Sequence, residues 1–278
     1  MGYKTKIDWC DTSWNPVTGC LHGCEYCYAR RIANRFGGDM AEEEIIMPPD
    51  FSSESMSQPI KTRQKMIHDL DKPFVMKREK DGAIVKSPYP FNFDPTFHRY
   101  RLNQPREWQE PRIIFVCSMA DLFGEWVPDE WVKEVFNACR AAPQHRYLFL
   151  TKNPSRYDML IDAGIIRPTD ENFWLGSTVT VLTKDRAHWS RHHHTFFSCE
   201  PFLAPWPQAG KPNPRKDMMP EWVIFGAETG NRKDKVIPKK EWIDNAVQMC
   251  RNMGAAVFMK ESLREIMGDD FVQEFPWG

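Results

Sequence analysis

From about residue 112 onward the chain alternates short β-branched or aromatic runs with helical patterns, which leaves room for little except βαβ units around a parallel sheet. The runs are RIIFVCS (112–118), RYLFLT (146–151), FWLGSTVTV (173–181), HTFFSCE (194–200), WVIFGAE (222–228) and AAVFMK (255–260). Between them, DEWVKEVFNACRAA reads as a helix with Trp131, Val135, Phe136 and Cys139 on one face, and KKEWIDNAVQMCRNMG as another capped by Gly254. About six such strands predict an α/β fold, an incomplete (β/α) TIM-like barrel, within one domain over 1–278.

The first hundred residues follow a different rhythm. WNPVTG is strand-like, and EYCYARRIANRFGG predicts a helix with Tyr28, Ile32 and Phe36 on one side and Gly37 at its end. Residues 38–111, rich in Pro, Ser, Asp and Met, read as an insertion or cap on the barrel, and the proline-rich stretch 201–220 as an irregular loop near the site.

Composition narrows the setting. Of the 278 residues, 41% are hydrophobic and 27% charged, as in ordinary globular chains. No signal peptide and no apolar run of membrane-spanning length is present, so a cytoplasmic protein with no membrane partner is expected. Eight cysteines in that setting point to metal ligation or catalysis rather than to disulfides. A net charge of -1 gives no global attraction to nucleic acid, although 99–112 and 186–194 interleave cations with aromatics.

The strongest chemical signal is Cys20-Leu-His-Gly-Cys24-Glu-Tyr-Cys27. Three thiolates on one tight loop suit three irons of a [4Fe-4S] cubane, leaving the fourth iron open for a substrate or cosubstrate. The competing reading is a zinc site with Cys10 or His22 as fourth ligand, in a nucleic-acid-binding protein without catalysis. No second ligand couple follows the triplet, and His192, His193 and His194 bunch far downstream. Three thiols within eight residues of a polar turn are not core packing.

This spacing, with an aromatic before the last cysteine, resembles the radical S-adenosylmethionine superfamily. KIDWCDTSWNPVTGC (6–20), CYARRIANRF (27–36), SMADLF (118–123), LFLTKNPSR (148–156), WLGSTV (174–179), SCEPF (198–202), FGAETG (225–230) and FMKE (258–261) resemble a family of phage-encoded and bacterial proteins with a three-cysteine motif and no defined reaction. That family more often has Ser-Val-Glu at Thr178 to Thr180 and Gly-Gly-Glu-Ser-Gly at Gly226 to Gly230. The loop around Cys24 and Cys27 is also similar to that of spore photoproduct lyase.

The superfamily resemblance implies metal ligation by Cys20, Cys24 and Cys27, and an open iron that binds S-adenosylmethionine. One electron, from a donor such as flavodoxin or ferredoxin, cleaves this cosubstrate to a 5′-deoxyadenosyl radical that abstracts hydrogen. Tyr26 is then expected at the adenine side, with Gly23 letting the loop turn. Most matching phrases fall at the C-terminal ends of predicted strands, where such barrels place their chemistry. Ser118 and Asp121 are candidates for the methionine ammonium, Ser177 and Thr178 for the ribose hydroxyls, and Glu200, Glu228 and Lys260 for further polar contacts. Cys117 and Cys199 are candidate hydrogen donors. The leading substrate expectation is a nucleobase or nucleic acid.

Overall fold

Seven short strands, nearly all buried on both faces, lie parallel in one curled sheet that forms a half-barrel, consistent with an incomplete TIM-like barrel. The computed structural model describes residues 5–37, 67–77, 81–181, 187–188, 190, 192–206, 219–230 and 232–277. In chain order the elements are β1 (Thr12–Trp14), β2 (Val17–Thr18), α1 (Tyr28–Phe36), β3 (His68–Leu70), β4 (Val75–Lys77), β5 (Ile84–Lys86), β6 (Thr96–His98) and α2 (Gln104–Glu107). There follow β7 (Ile113–Val116), α3 (Asp129–Arg140), β8 (Arg146–Thr151), α4 (Ser155–Asp162), β9 (Phe173–Thr178), β10 (His194–Cys199), β11 (Trp222–Phe225), α5 (Lys240–Met253) and β12 (Ala256–Met259). The large sheet runs β1-β7-β8-β9-β10-β11-β12, so each strand after β7 is laid beside its predecessor.

All six strands expected from the sequence form; β8 ends at Thr151 as expected, and the other five end one to three residues early on their C-terminal side. The seventh is Thr12–Trp14, paired with β7 from Thr12 opposite Ile114 to Trp14 opposite Val116. WNPVTG is therefore not one strand. Pro16 has no N–H to continue the ladder, and the chain turns away. Val17 and Thr18 instead pair antiparallel with β6, in a small sheet of order β2-β6-β3. Residues 38–66 of the expected insertion and 207–218 of the expected loop lie outside the described residues.

The period-2 alternation of the strands divides the core. On the helix side of β9, Phe173 and Leu175 join a cluster with Phe136, Phe149 and Tyr157, while Phe197, Cys199 and Phe225 form a second cluster with Ile243 and Cys250 of α5. Residues of opposite parity, Phe115, Leu148, Trp174, Phe196, Trp222, Ile224 and Phe258, fill the concave face together with Trp9. Trp9 sits with its ring centroid 4.6 Å from Phe115 and 6.4 Å from Trp222. Gly176 is required there, because a Cβ would stand 2.2 Å from the Phe196 ring. Each such aromatic contributes about 1.5–3 kcal/mol by burial.

The first segment laces the concave face to the last strand. The Asp8 carboxylate accepts from the Glu261 N–H at 2.9 Å, immediately beyond β12. Gly254 ends α5 as expected, at φ 82°. Helix α1 forms as expected, with Tyr28, Ile32 and Phe36 on one side and Gly37 at its end, and that side is 45%, 36% and 57% exposed respectively. Ala29 and Ala33 are buried instead, against Phe93 and Met119, because small residues let the helix approach closely. Among the described residues no helix is long and apolar enough to cross a membrane.

Candidate functional site

The cysteine loop leaves β2 at the C-terminal mouth of the half-barrel, and its first turn is fixed by backbone contacts. Gly19 adopts φ +87°, and a Cβ there would meet the Asp94 carbonyl oxygen at 2.1 Å, so only glycine permits this approach. The Gly19 N–H donates to Met119 O at 2.9 Å and the Cys20 N–H to Phe93 O at 3.1 Å. Arg30 lies over the Phe93 ring at 4.8 Å and donates to the Cys20 carbonyl at 2.9 Å. The Cys27 N–H closes a turn onto Cys24 O at 3.2 Å, and the Cys27 sulfur caps α1 by accepting from the Arg30 N–H at 3.4 Å.

All three thiols are half-buried. Burial pushes the Cys20 thiol up to about 12, so it is protonated until a metal displaces the proton. In this conformation no three of the described His, Cys, Asp or Glu side chains converge closely enough to grip one ion. A tetrahedral zinc centre takes four donors on one ion, whereas a cubane takes one thiolate on each of three irons. A donor set of three soft thiols fits an iron-sulfur group, and nothing lies within 4 Å of a Cβ position at Gly23, which leaves the loop open on that side.

Asp121 anchors the loop from beneath. It is buried, and its carboxylate accepts from His22 Nε2 at 2.7 Å, Thr151 Oγ1 at 2.7 Å, Lys152 N at 2.9 Å and Phe123 N at 3.0 Å. Burial alone would raise this carboxyl, but the hydrogen bonds from His22, Lys152 and Thr151 outweigh it and hold the group below its ordinary value. The His22 ring also meets Trp126 edge-on at 4.9 Å. Ser118 donates to Asn15 Oδ1 at 3.2 Å, and its carbonyl accepts from the Tyr28 hydroxyl at 2.7 Å. Tyr26 is half-buried.

At the far side of the mouth, Glu200 accepts from Lys260 Nζ at 2.7 Å and from Trp9 Nε1 at 3.2 Å. Gly226 lies between their backbones, and a Cβ there would press on Lys260 Cδ at 3.0 Å and Glu200 Cγ at 3.1 Å. Burial acts to lower the Lys260 ammonium, yet the adjacent Glu200 charge dominates and raises it. Glu228 is buried and forms a two-pronged pair with Arg232, both contacts 2.7 Å, which holds its carboxyl down.

The two ribose candidates face opposite ways. Ser177 shares the helix-side parity of Phe173 and Leu175, and its oxygen accepts from the His188 N–H at 2.9 Å. Thr178 shares the concave parity of Trp174, is only 7% exposed, and its hydroxyl has no hydrogen-bond partner. Cys117 and Cys199 are packed in the helix-side clusters. Burial pushes Cys117 up to about 12 and Cys199 well up. The cysteine outside the triplet that packs on the concave side is Cys10, its thiol pushed up to about 12 by burial.

Sequence reasoning missed Trp9, Asn15, Tyr28 and Thr151 as parts of the mouth. The only available signal was their position beside the cysteine phrase or at a strand end. A cavity of about 690 Å³ opens at the other, N-terminal end of the strands, where Arg112, His145, Arg146, Trp174 and Trp277 line it; it contains none of the expected site residues.

A family model described as "Protein of unknown function (DUF5131)" matches residues 4–264. No curated protein matches the sequence. Two solved structures of spore photoproduct lyase mutants are similar in overall shape at 12% identity. One, with bound AdoMet and dinucleoside spore photoproduct, has a TM-score of 0.48 over 92% of this chain and 78% of that one. The other has a TM-score of 0.47 over 94% of this chain and 79% of that one.

Proposed function

The chain belongs to the family described as Protein of unknown function (DUF5131), and on that premise we propose that it is a radical S-adenosylmethionine enzyme whose [4Fe-4S] cluster is held by Cys20, Cys24 and Cys27. The observation that carries this reading is the position of three thiols on one backbone-fixed loop at the C-terminal mouth of a half-barrel. When bound, the cluster and S-adenosylmethionine supply a one-electron cleavage that yields a 5′-deoxyadenosyl radical able to abstract hydrogen from a substrate.

The chain's own residues do the binding and shielding. Cys27 is aligned by the first turn of α1, whose N–H groups favour a thiolate. Asp121 acts through His22 and the backbone of Lys152, and so positions the loop rather than a ligand. Thr178 offers an unpartnered buried hydroxyl on the concave face, where a ribose hydroxyl would satisfy it. The Glu200–Lys260 pair presents one charge of each sign to a zwitterionic amino-acid group. Tyr26 stands at the adenine side, and Ser118 and Glu228 frame the mouth. The aromatic floor excludes water from below.

The substrate class is a nucleobase or nucleic acid, the electron donor a flavodoxin or ferredoxin, and the setting the cytoplasm. The kinship with phage-encoded and bacterial three-cysteine-motif proteins belongs to the same reading. The test is anaerobic purification with iron, sulfide and zinc analysis, then reduction with S-adenosylmethionine and assay for 5′-deoxyadenosine. Iron and sulfide at cubane stoichiometry, with 5′-deoxyadenosine lost in Cys24→Ala, is the expected result. Stoichiometric zinc, no cluster after reconstitution and no cleavage product would overturn it.

A further inference from the structure

Helix α1 carries an exposed stripe of Tyr28, Ile32 and Phe36, one residue per turn, with cations beside it. Arg35 lies over the Phe36 ring at 5.4 Å. Arg31 crosses to the segment after β11, where Gly230 adopts φ +98° and a Cβ would stand 3.2 Å from Arg31 Nη1. Lys235 meets the same glycine, donating to Gly230 O at 3.2 Å. Arg31 and Lys235 are both exposed, and neither has an ion-pair partner among the described residues. Among the neighbouring acids, Glu228 is bound by Arg232 and also feels the charge of Lys235, and the charges of Glu25 and Asp234 act on Arg232. Lys233 extends the positive edge.

We propose that the exposed side of α1, Gly230 and the Arg232 to Lys235 segment form a docking surface for single-stranded nucleic acid, with Arg31 and Lys235 gripping a phosphate at Gly230. Two unpaired cations brought to one glycine repel each other, and an anion between them reverses that repulsion. The aromatics beside them decide which anion. Bases of a single strand stack on exposed rings while cations track the backbone; a duplex hides its base faces, and a protein surface of apolar groups would leave the arginines unpaired. The stripe begins at Tyr28, the residue after Cys27, so a strand lying along α1 leads toward the cysteine loop. The inference deepens the proposed function, on which it rests for what the docked strand is used for.

Binding of a short fluorescein-labelled oligodeoxythymidine and oligouridine to the full chain, followed by polarisation across a salt series, tests it. The wild type should bind, with log affinity falling linearly against log salt. Arg31→Gln with Lys235→Gln should flatten that slope by about 0.7, the one phosphate contact they share. Arg31→Lys should restore most of its half. Phe36→Ala should weaken binding by about fivefold or more without altering the slope, since stacking releases no counterions. No binding, or binding lost in Arg112→Gln with Arg146→Gln but not in the Arg31 and Lys235 variants, overturns the proposal. The polarisation readout needs no cluster. Binding of the expected form without 5′-deoxyadenosine sinks only the radical reading, and cleavage of S-adenosylmethionine without such binding sinks only this one.

Discussion

The two ends of the half-barrel are made by the same seven strands and have opposite chemistry. Toward the N-terminal end and the middle, the concave face is packed with Trp9, Phe115, Trp174, Phe196, Trp222 and Phe258. At the C-terminal mouth stand Asp121, Thr178, Glu200, Glu228 and Lys260, bound mostly to one another, to neighbouring backbone or to the cysteine loop. The floor is dictated by shape, since any large apolar side chain of fitting volume seals it. The mouth depends on identity, because a buried charge without its partner costs more than a missing methylene. Stability and chemistry are thus separated along the strand axis.

The sharpest test of that separation is Trp222→Ala. The side chain is fully buried among Trp9, Phe196, Phe258 and Phe275, so chemical denaturation should show a loss of about 3–5 kcal/mol. A loss under about 1 kcal/mol would mean that the floor is not a packed core. Asp121→Asn comes next. It weakens four accepted hydrogen bonds and should cost about 1–3 kcal/mol.

The same aspartate sets a pH dependence. Its folded-state carboxyl is held below the ordinary value, so it contributes stability that is fully present above the unfolded value and is lost as pH falls through the folded one. Wild-type stability should therefore decline from about pH 4 downward, and Asp121→Asn should show a shallower decline. Equal declines would detach Asp121 from the loop's stability.

Lys260→Met removes a half-buried partner of Glu200 and should cost about 1 kcal/mol while weakening S-adenosylmethionine binding more than it weakens the fold. The smallest effect contrasts two adjacent residues. Ser177→Ala gives up a buried bond from His188 N, about 1 kcal/mol, whereas Thr178→Val removes a hydroxyl with no partner and should leave stability within about 0.5 kcal/mol. If Thr178→Val proves the more destabilising, its hydroxyl is already satisfied within the chain, and the ribose role falls.

Much of the floor was legible beforehand, because parallel strands buried on both faces appear as continuous apolar runs such as RYLFLT and HTFFSC. What local pattern does not report is which face a residue takes once the strands curl. Cys199 and Glu200 are neighbours in the phrase SCEPF, yet one enters the core beneath α5 and the other turns to the mouth. Ser177 and Thr178 divide in the same way. On α1 the 3.6-residue pattern of Tyr28, Ile32 and Phe36 was visible, but its direction was set by two alanines, Ala29 and Ala33, whose close approach to Phe93 and Met119 depends on contacts sixty to ninety residues away. The triplet Cys20, Cys24 and Cys27 was legible because its meaning lies in spacing, which needs no tertiary context.

The tie between Asp8 and Glu261 joins residues 253 positions apart, and that between Trp9 and Glu200 joins residues 191 apart. Contacts of such span form late, since a long loop must be closed before they return any stabilisation. During synthesis the cysteine loop leaves the ribosome well before β12, the edge strand to which the first segment is laced. The order of translation therefore gives this chain an interval in which its three thiols are made and its half-barrel is not yet complete. Whatever occupies the mouth has its widest access then, before the first segment is laced to β12.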